Sequence, residues 1–374
     1  MPGDALTRCV GDVDAFRRDH WARRPLLRRT GQRFDDLLDV DAIEHLLTML
    51  GRRPVFRVVK DGETLPFDRY TVTARVGGRD VAEVADVDRV IQLVTGDRAT
   101  IVVQGLQRTW LPLARFCADL QASVSHPVQA NAYLSPAGAK ALNRHADTHG
   151  VLALQVAGSK AWNVQGLGDV VLEPGDVMYL PAGTEHEARA QDGFSLHVTI
   201  GILTVRWRDV VQRLLADGTL DDPLPLGFAE PARVMEVSAA LDDALDRAGR
   251  RLASVDRSAV VEAEADRARR RRRQLPGQRL RATVDPMLIG KGTRLRRTGP
   301  AAVLDGDAGD RITLDFGPVR LGLPASTRAA LVAVAALDEV VVGDLPELDV
   351  DDQVVLLRRL VREGLLQPVD VPPG

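Results

Sequence analysis

The chain has 374 residues, of which 45% are hydrophobic, and its net charge at pH 7 is −3. The length predicts two or three domains with sizeable cores, and the near-neutral charge gives no reason to expect a polyanionic partner. The two cysteines, Cys9 and Cys117, have no paired spacing, so no disulfide framework is expected and a cytoplasmic location is predicted. No run of about 18 apolar residues occurs, so no membrane span is expected.

The first part of the chain predicts short strands mixed with helices. Val40–Leu50 is predicted as a helix with Asp39 as its N-cap, because its apolar residues recur on one helical face. The segments Arg53–Lys60 and Thr100–Gly105 are rich in β-branched residues and predict strands.

Turn residues divide the segment that follows into further strands. Val170–Pro181 predicts a strand, a Pro-Gly-Asp turn and a second strand. A second break follows at Pro181–Gly183, and His186 is predicted to open the next strand. An antiparallel barrel brings such distant strands side by side.

A candidate metal site is visible in the same segment. His145 and Asp147 form an H-x-D pair, whose side chains point to one face if the pair lies on a strand. Two histidines and one carboxylate form the facial triad of non-heme Fe(II) oxygenases, which leaves positions open for a co-substrate and O₂. His186 and His197 are alternatives for the third ligand, and His149 is either a further ligand or a supporting residue beside the site.

Motifs throughout this segment match a known pattern. An N-x-Y-x-S-P-x-G motif precedes H-x-D-x-H and L-Q-x-x-G-x-K-x-W, and G-D-x-x-Y-x-P-x-G-x-x-H and S-L-H-x-T follow. With these motifs the chain resembles the JmjC-type, cupin-fold Fe(II)/2-oxoglutarate oxygenases, and among them the ribosomal oxygenases that hydroxylate ribosomal proteins. The matching residues are Asn131, Tyr133, Ser135, Pro136, Gly138, His145, Asp147, His149, Leu154, Gln155, Gly158, Lys160, Trp162, Gly175, Asp176, Tyr179, Pro181, Gly183, His186, Ser195, Leu196, His197 and Thr199.

The resemblance implies roles for these residues. The third metal ligand would be His186, because it follows the Pro-x-Gly turn as in the family, and Fe(II), 2-oxoglutarate and O₂ would be required. Lone lysines usually face solvent, but Lys160 lies on an apolar strand and matches the lysine that binds the 2-oxoglutarate carboxylate. Tyr133, Thr199 and Asn131 would complete the co-substrate site. Should Lys160 prove dispensable, Arg144 is the alternative cation.

The resemblance also implies a mixed α/β fold and a domain order. The expected domains are a JmjC-type double-stranded β-helix with N-terminal helices at 1–205, a helical dimerisation domain at 206–280 and a winged-helix-like domain at 281–374. DNA binding by the last domain is not expected, because Thr298–Gly374 holds 13 acidic residues and 6 arginines, a net charge of −7. The Arg267–Arg273 cluster is either a solvated helix end or a contact for RNA or the ribosome.

Three functions remain open from the sequence. The first is hydroxylation of a ribosomal protein on a histidyl or arginyl side chain by a homodimeric 2-oxoglutarate-dependent dioxygenase. The second is the same chemistry on a peptide natural product or small molecule, and the third is a non-catalytic, metal-binding cupin that serves in interactions. Ala146, Gly150 and Leu152 replace aromatic and acidic residues that the family often has beside the metal, which leaves the substrate assignment open.

Overall fold

The computed structural model describes residues 4–140, 142–273, 275, 279–299, 301–305 and 310–369. Its internal contacts divide the chain into two compact units, one formed by Met1–Leu203 with Arg271–Gly374 and the other by Thr204–Arg270. No helix among the described residues is long and apolar enough to cross a membrane.

The first 203 residues mix α and β structure. The strands are β1 Leu26–Arg29, β2 Phe56–Lys60, β3 Glu63–Thr64, β4 Thr71–Val76, β5 Arg79–Ala85, β6 Thr100–Val103, β7 Val128–Ser135, β8 His145–Ala146, β9 Gly150–Val164, β10 Gly168–Leu172, β11 Asp176–Leu180 and β12 Glu185–Ile202. The helices are α1 Asp4–Val10, α2 Val13–Asp19, α3 Val40–Leu50, α4 Val87–Asp97, α5 Leu106–Thr109 and α6 Leu111–Val124, with a 3₁₀ helix at Phe67–Arg69. The helix Val40–Leu50 is confirmed, and the predicted strands form, although β2 starts at Phe56 rather than Arg53 and β6 ends at Val103 rather than Gly105.

One antiparallel sheet dominates this part of the chain. Its strands run in the order β1-β11-β9-β12-β7-β6-β2-β3, with β10 added to β9 and β8 added to β12. The long strands β9 and β12 pair along most of their length, and their register shifts between Ala190 and Ser195. A register shift of this kind bends a strand, so the two ends of β12 contribute to different walls of the same sheet structure.

The helices pack on this sheet through a continuous apolar core. The Asp39 carboxylate caps α3 by accepting a 2.7 Å hydrogen bond from the backbone N–H of Ala42, as the sequence predicts. Ile43, Leu46 and Leu47 are buried on the inner face of α3. Burial of such side chains is the main favourable term in holding α3 to the core.

The unit Thr204–Arg270 is helical, although less continuous than predicted. Its helices are α7 Trp207–Leu214, α8 Val234–Ala253 and α9 Arg257–Arg270, with a 3₁₀ helix at Pro231–Arg233. A proline-containing segment without regular helix joins α7 to this 3₁₀ helix, and α8 ends before Asp256, whose carboxylate accepts from the N–H groups of Ser258 and Ala259 at the start of α9. Gln274 and residues 276–278 of the predicted helical domain lie outside the described residues.

The C-terminal part has a core of its own. Its strands are β13 Arg294–Arg297, β14 Ala302–Asp305, β15 Arg311–Phe316, β16 Val319–Pro324, β17 Glu339–Val341 and β18 Leu366–Pro368. Its helices are α10 Arg279–Val284, α11 Arg328–Ala336 and α12 Val350–Glu363, with 3₁₀ helices at Pro286–Leu288 and Ala325–Thr327. The strands form two three-stranded sheets, β17-β13-β18 and β14-β15-β16. Leu365–Val371, the segment expected from the sequence to resemble a wing, includes β18, but its end, Asp370 and Val371, lies outside the described residues.

Candidate metal centre and co-substrate pocket

Two short chain segments carry the three candidate metal ligands. The two-residue strand β8 pairs with the start of β12, so that His145 lies directly opposite His186. Asp147 follows β8, and its backbone carbonyl accepts a 2.8 Å hydrogen bond from the N–H of Gly183. The Pro-Ala-Gly turn predicted before β12 therefore holds the H-x-D segment against the strand that carries the other histidine.

The three side chains converge on one point. His145, Asp147 and His186 each offer one ligand atom, and these atoms all lie within 4.8 Å of one another. The His186 Nε2 atom is 3.7 Å from an Asp147 carboxylate oxygen, and the two imidazole rings have centroids 4.4 Å apart. A single ion can therefore reach all three groups with small side-chain adjustments.

Both histidines are oriented by backbone carbonyls. The Nδ1 atom of His145 lies 2.8 Å from the carbonyl of Asn143, and the Nδ1 atom of His186 lies 2.9 Å from the carbonyl of Thr184. A proton on each Nδ1 leaves the Nε2 lone pair free for a metal, which is the usual arrangement of metal-bound histidine. Burial lowers the pKa of His186, so this ring is neutral at neutral pH, as a ligand must be.

The ligands open onto a cavity of about 300 Å³. Strands β7, β9 and β12 supply most of its walls, because alternate residues of each strand point inward. All seven residues that the sequence assigns to the metal and co-substrate sites line this cavity. Its lining residues are Arg57, Gln129, Asn131, Tyr133, Leu142, His145, Asp147, His149, Val151, Lys160, Trp162, Leu180, His186, Ala188, His197, Thr199 and Gly201.

Lys160 is a buried cation without a carboxylate partner in the described part of the chain. It is 1% exposed, and its ammonium donates a 3.1 Å hydrogen bond to the hydroxyl of Ser135. Burial lowers its pKa from 10.5 to about 7. An uncompensated ammonium is costly to bury, so this position is favourable for an anionic ligand.

Hydroxyl and amide groups surround the same space. Tyr133 and Thr199 are hydrogen-bonded to each other, and burial raises the pKa of Tyr133, which keeps the phenol protonated. The Asn131 carbonyl oxygen accepts a 3.1 Å hydrogen bond from the N–H of Gly105, which fixes the orientation of its amide. These groups offer neutral donors beside the Lys160 ammonium.

The alternative ligands and the alternative cation occupy other places. His197 is buried, stacks on Tyr133 at 4.8 Å and is not among the three residues that converge. Burial and the nearby Lys160 hold the pKa of His197 well below its usual value. His149 lines the cavity, and the Arg144 guanidinium donates instead to Glu185 and Asn163.

Arg57 is a cavity residue that was not singled out from the sequence. It alternates with the buried residues Phe56 and Val58 of β2, so it points to the other face of the strand. Alternation of this kind shows that Arg57 faces away from Phe56 and Val58, but it does not reveal which strands pair with β2. That pairing is what brings Arg57 to the cavity.

The residues fit both an Fe(II) ion and a dicarboxylate. Two imidazoles and one carboxylate are a donor set that suits Fe(II) with open positions. Among the described residues, the buried Nδ1 of His197 and Nε1 of Trp162 have no hydrogen-bond partner, and both residues line the cavity. Buried polar atoms are rarely left unpaired, so these orphan atoms are consistent with a ligand or water in the cavity.

Comparisons with known proteins agree with this geometry. The family described as JmjC domain matches residues 107–168 and 163–210. A ribosomal oxygenase 2 from Mus musculus is 28% identical over 213 residues, which cover 50% of this chain and 44% of that protein. A "bifunctional lysine-specific demethylase and histidyl-hydroxylase NO66" from Branchiostoma floridae is 38% identical over 105 residues, which cover 27% of this chain and 17% of the relative. The chain thus spans less than half the length of these two curated relatives.

Solved structures match over nearly the whole chain. The ribosomal oxygenase YcfD of Escherichia coli superposes with a TM-score of 0.53 at 18% identity, covering 96% of this chain and 98% of that one. A structure of YcfD in complex with cobalt and 2-oxoglutarate gives a TM-score of 0.51 at 19% identity, covering 95% and 97% of the two chains. The expected mixed α/β, cupin-type fold with helical domains is therefore confirmed, and the chain is similar to the JmjC domain family over residues 107–210.

Proposed function

We propose that this chain is an Fe(II)- and 2-oxoglutarate-dependent oxygenase that hydroxylates a side chain of a ribosomal protein. The observation that carries the proposal is the combination, in one cavity, of three convergent side chains with the buried Lys160 ammonium, which has no carboxylate partner among the described residues. A metal site alone would suit many cupin proteins. A buried cation in the same cavity additionally calls for an anionic co-substrate.

Each residue has a defined task in this proposal. His145, Asp147 and His186 hold the metal, and the carbonyls behind the two rings aim their Nε2 atoms. Lys160 binds the far carboxylate of 2-oxoglutarate by a charge-assisted hydrogen bond, supported by the hydroxyls of Tyr133 and Thr199. Asn131 lines the same pocket. When bound, iron with 2-oxoglutarate and O₂ supplies the oxidising power to insert one oxygen atom into a C–H bond, with release of succinate and CO₂.

A polypeptide substrate is supported by charge. The segment Thr298–Gly374 has a net charge of −7, and ribosomal proteins are predominantly basic. Opposite charges speed the encounter of two proteins without fixing which residue is modified. The same acidity argues against nucleic acid as the partner of this C-terminal part.

A homodimer forms part of the proposal. On α8 the exposed apolar residues Val234, Leu241 and Leu245 follow one another at helical spacing. An exposed apolar stripe on a long helix favours association with an identical stripe around a two-fold axis.

Intact-mass analysis tests the proposed reaction. Ribosomal proteins from cells that lack the gene are incubated with the purified protein, Fe(II), 2-oxoglutarate and O₂, and we expect one protein to gain the mass of one oxygen atom. The matched control is His145→Ala, which should give no mass gain. If succinate forms only with a peptide encoded near the gene, the natural-product alternative is correct. If no succinate forms with any substrate, the chain is a non-catalytic cupin.

A further inference from the structure

Arg57 lies on the cavity face of the sheet, on β2, two strands beyond the co-substrate residues of β7. Arg57 pairs with Val102 of β6, and Val102 pairs in turn with Tyr133 of β7. Tyr133 pairs with His197 of β12. Directly paired residues of antiparallel strands point to the same side of a sheet. Arg57 and Tyr133 therefore face the same space, and both line the cavity.

The guanidinium of Arg57 has unused donors. One terminal nitrogen donates a 3.2 Å hydrogen bond to the Thr64 hydroxyl, and the buried Nε has no hydrogen-bond partner among the described residues. The ion pairs of the described residues do not include Arg57, although they do include the nearby Lys60 and Arg69 with Asp97. A guanidinium that is partly buried and lacks an acidic partner is a strong site for a hydrogen-bond acceptor.

The charge balance of the cavity indicates which side chains can enter beside Arg57. Asp147 supplies the only carboxylate among its described lining residues, and Asp147 is a proposed metal ligand. With Fe(II), 2-oxoglutarate and the Lys160 ammonium in place, the Asp147 carboxylate completes an electrically neutral set. The Arg57 charge is then in excess, and a second cation entering the cavity would meet repulsion rather than a partner.

We propose that Arg57 selects the target side chain, which must be uncharged or anionic and must present a hydrogen-bond acceptor. Asparaginyl, aspartyl and neutral histidyl side chains satisfy this requirement, whereas arginyl and lysyl side chains do not. The inference rests on the proposed function, since it concerns the substrate of the same site. The family resemblance leaves histidyl and arginyl side chains open as targets. The proposed role of Arg57 favours histidine over arginine.

Peptide binding without turnover tests the proposal. The immobilised protein is loaded with Mn(II) and 2-oxoglutarate under nitrogen, and pools of random peptides with asparagine, aspartate, histidine or arginine fixed at the centre are passed over it. We expect the arginine pool to be retained less than the other three by on the order of tenfold. Arg57→Glu should reverse this order, Arg57→Lys should keep it, and the exposed Arg75→Glu on β4 should leave it unchanged.

Peptide retention and 2-oxoglutarate affinity together distinguish a failure of this inference from a failure of the proposed function. Preferential retention of arginine peptides by the parent, or an unchanged order in Arg57→Glu, overturns the role of Arg57. A tenfold loss of 2-oxoglutarate affinity in Arg57→Gln would assign the residue to the co-substrate and also overturn it. If the parent binds 2-oxoglutarate but retains no pool above background, the inference fails and the proposed co-substrate chemistry stands. If it binds no 2-oxoglutarate, both fail.

Discussion

Lys160→Met should make the ligand-free protein more stable while removing its response to 2-oxoglutarate. The ammonium is buried and its folded-state pKa is about 7, against an ordinary value of 10.5. That difference corresponds to about 5 kcal/mol of destabilisation at and below neutral pH. Methionine has a similar length and no charge, and the Ser135 hydroxyl keeps its 3.0 Å hydrogen bond from Thr100.

The effect should depend on pH in a defined direction. Because the folded-state pKa is lowered, the unfolded chain binds more protons between pH 7 and pH 10.5, and the stability of the parent rises with pH over that window. Between pH 7 and pH 9 the parent should gain roughly 2 kcal/mol relative to Lys160→Met. Below pH 7 the difference between the two proteins should be largest and constant.

Chemical denaturation at pH 7 and pH 9, with and without Mn(II) and 2-oxoglutarate, measures these quantities. At a ligand concentration of about 100 times Kd, the parent should gain roughly 3 kcal/mol, whereas Lys160→Met should gain only what the metal provides. The matched control is Lys60→Met, which removes an exposed lysine beside Asp97 and should keep the 2-oxoglutarate response. A variant that is less stable than the parent at pH 7, or that still responds to 2-oxoglutarate, would refute the reasoning.

Further outcomes follow from the same site and from the helical unit. Alanine at any one of the three proposed ligands should abolish Fe(II)-dependent turnover, and His197→Ala should still bind metal in a titration; loss of iron from His197→Ala with retention by His186→Ala would reverse the ligand assignment. The affinity for 2-oxoglutarate should fall by up to about tenfold per pH unit above pH 7, because the empty site then holds a neutral Lys160; an affinity that is flat to pH 9 in calorimetry would exclude Lys160 as the partner. Leu241→Glu should convert a dimer into a monomer in light scattering, and a parent that is already monomeric at micromolar concentration would remove the dimer proposal.

The convergence of the three proposed metal ligands could be predicted from the sequence, because the turn and the strand start that position them are local features. His145 lies on β8 and Asp147 follows it directly, held by the hydrogen bond from the N–H of Gly183 to its carbonyl. The turn before β12 sets the start of the strand that carries His186. Several strands of the sheet, among them β2, β6, β10 and β11, were predictable for a related reason, since β-branched runs and turn residues alternate along this part of the chain.

The environment of Arg57 could not be predicted in the same way. Its position depends on pairing between β2, β6 and β7, which are far apart in sequence, and no local motif marks that pairing. The helical unit shows a second limit. The sequence has few helix-breaking residues between Pro231 and Gln274, but the Asp256 carboxylate accepts from the N–H groups of Ser258 and Ala259, and a new helix starts there.

The carbonyls behind His145 and His186 each belong to a residue only two positions earlier in the chain. Each imidazole ring is therefore oriented by a hydrogen bond within its own three-residue segment. This hydrogen bond needs no partner from the surrounding core. We therefore expect the orientation of the two rings to tolerate substitutions elsewhere in the barrel, provided that the barrel still brings the two segments together. The three proposed ligands therefore depend on the sheet mainly for the pairing that places β8 opposite the start of β12.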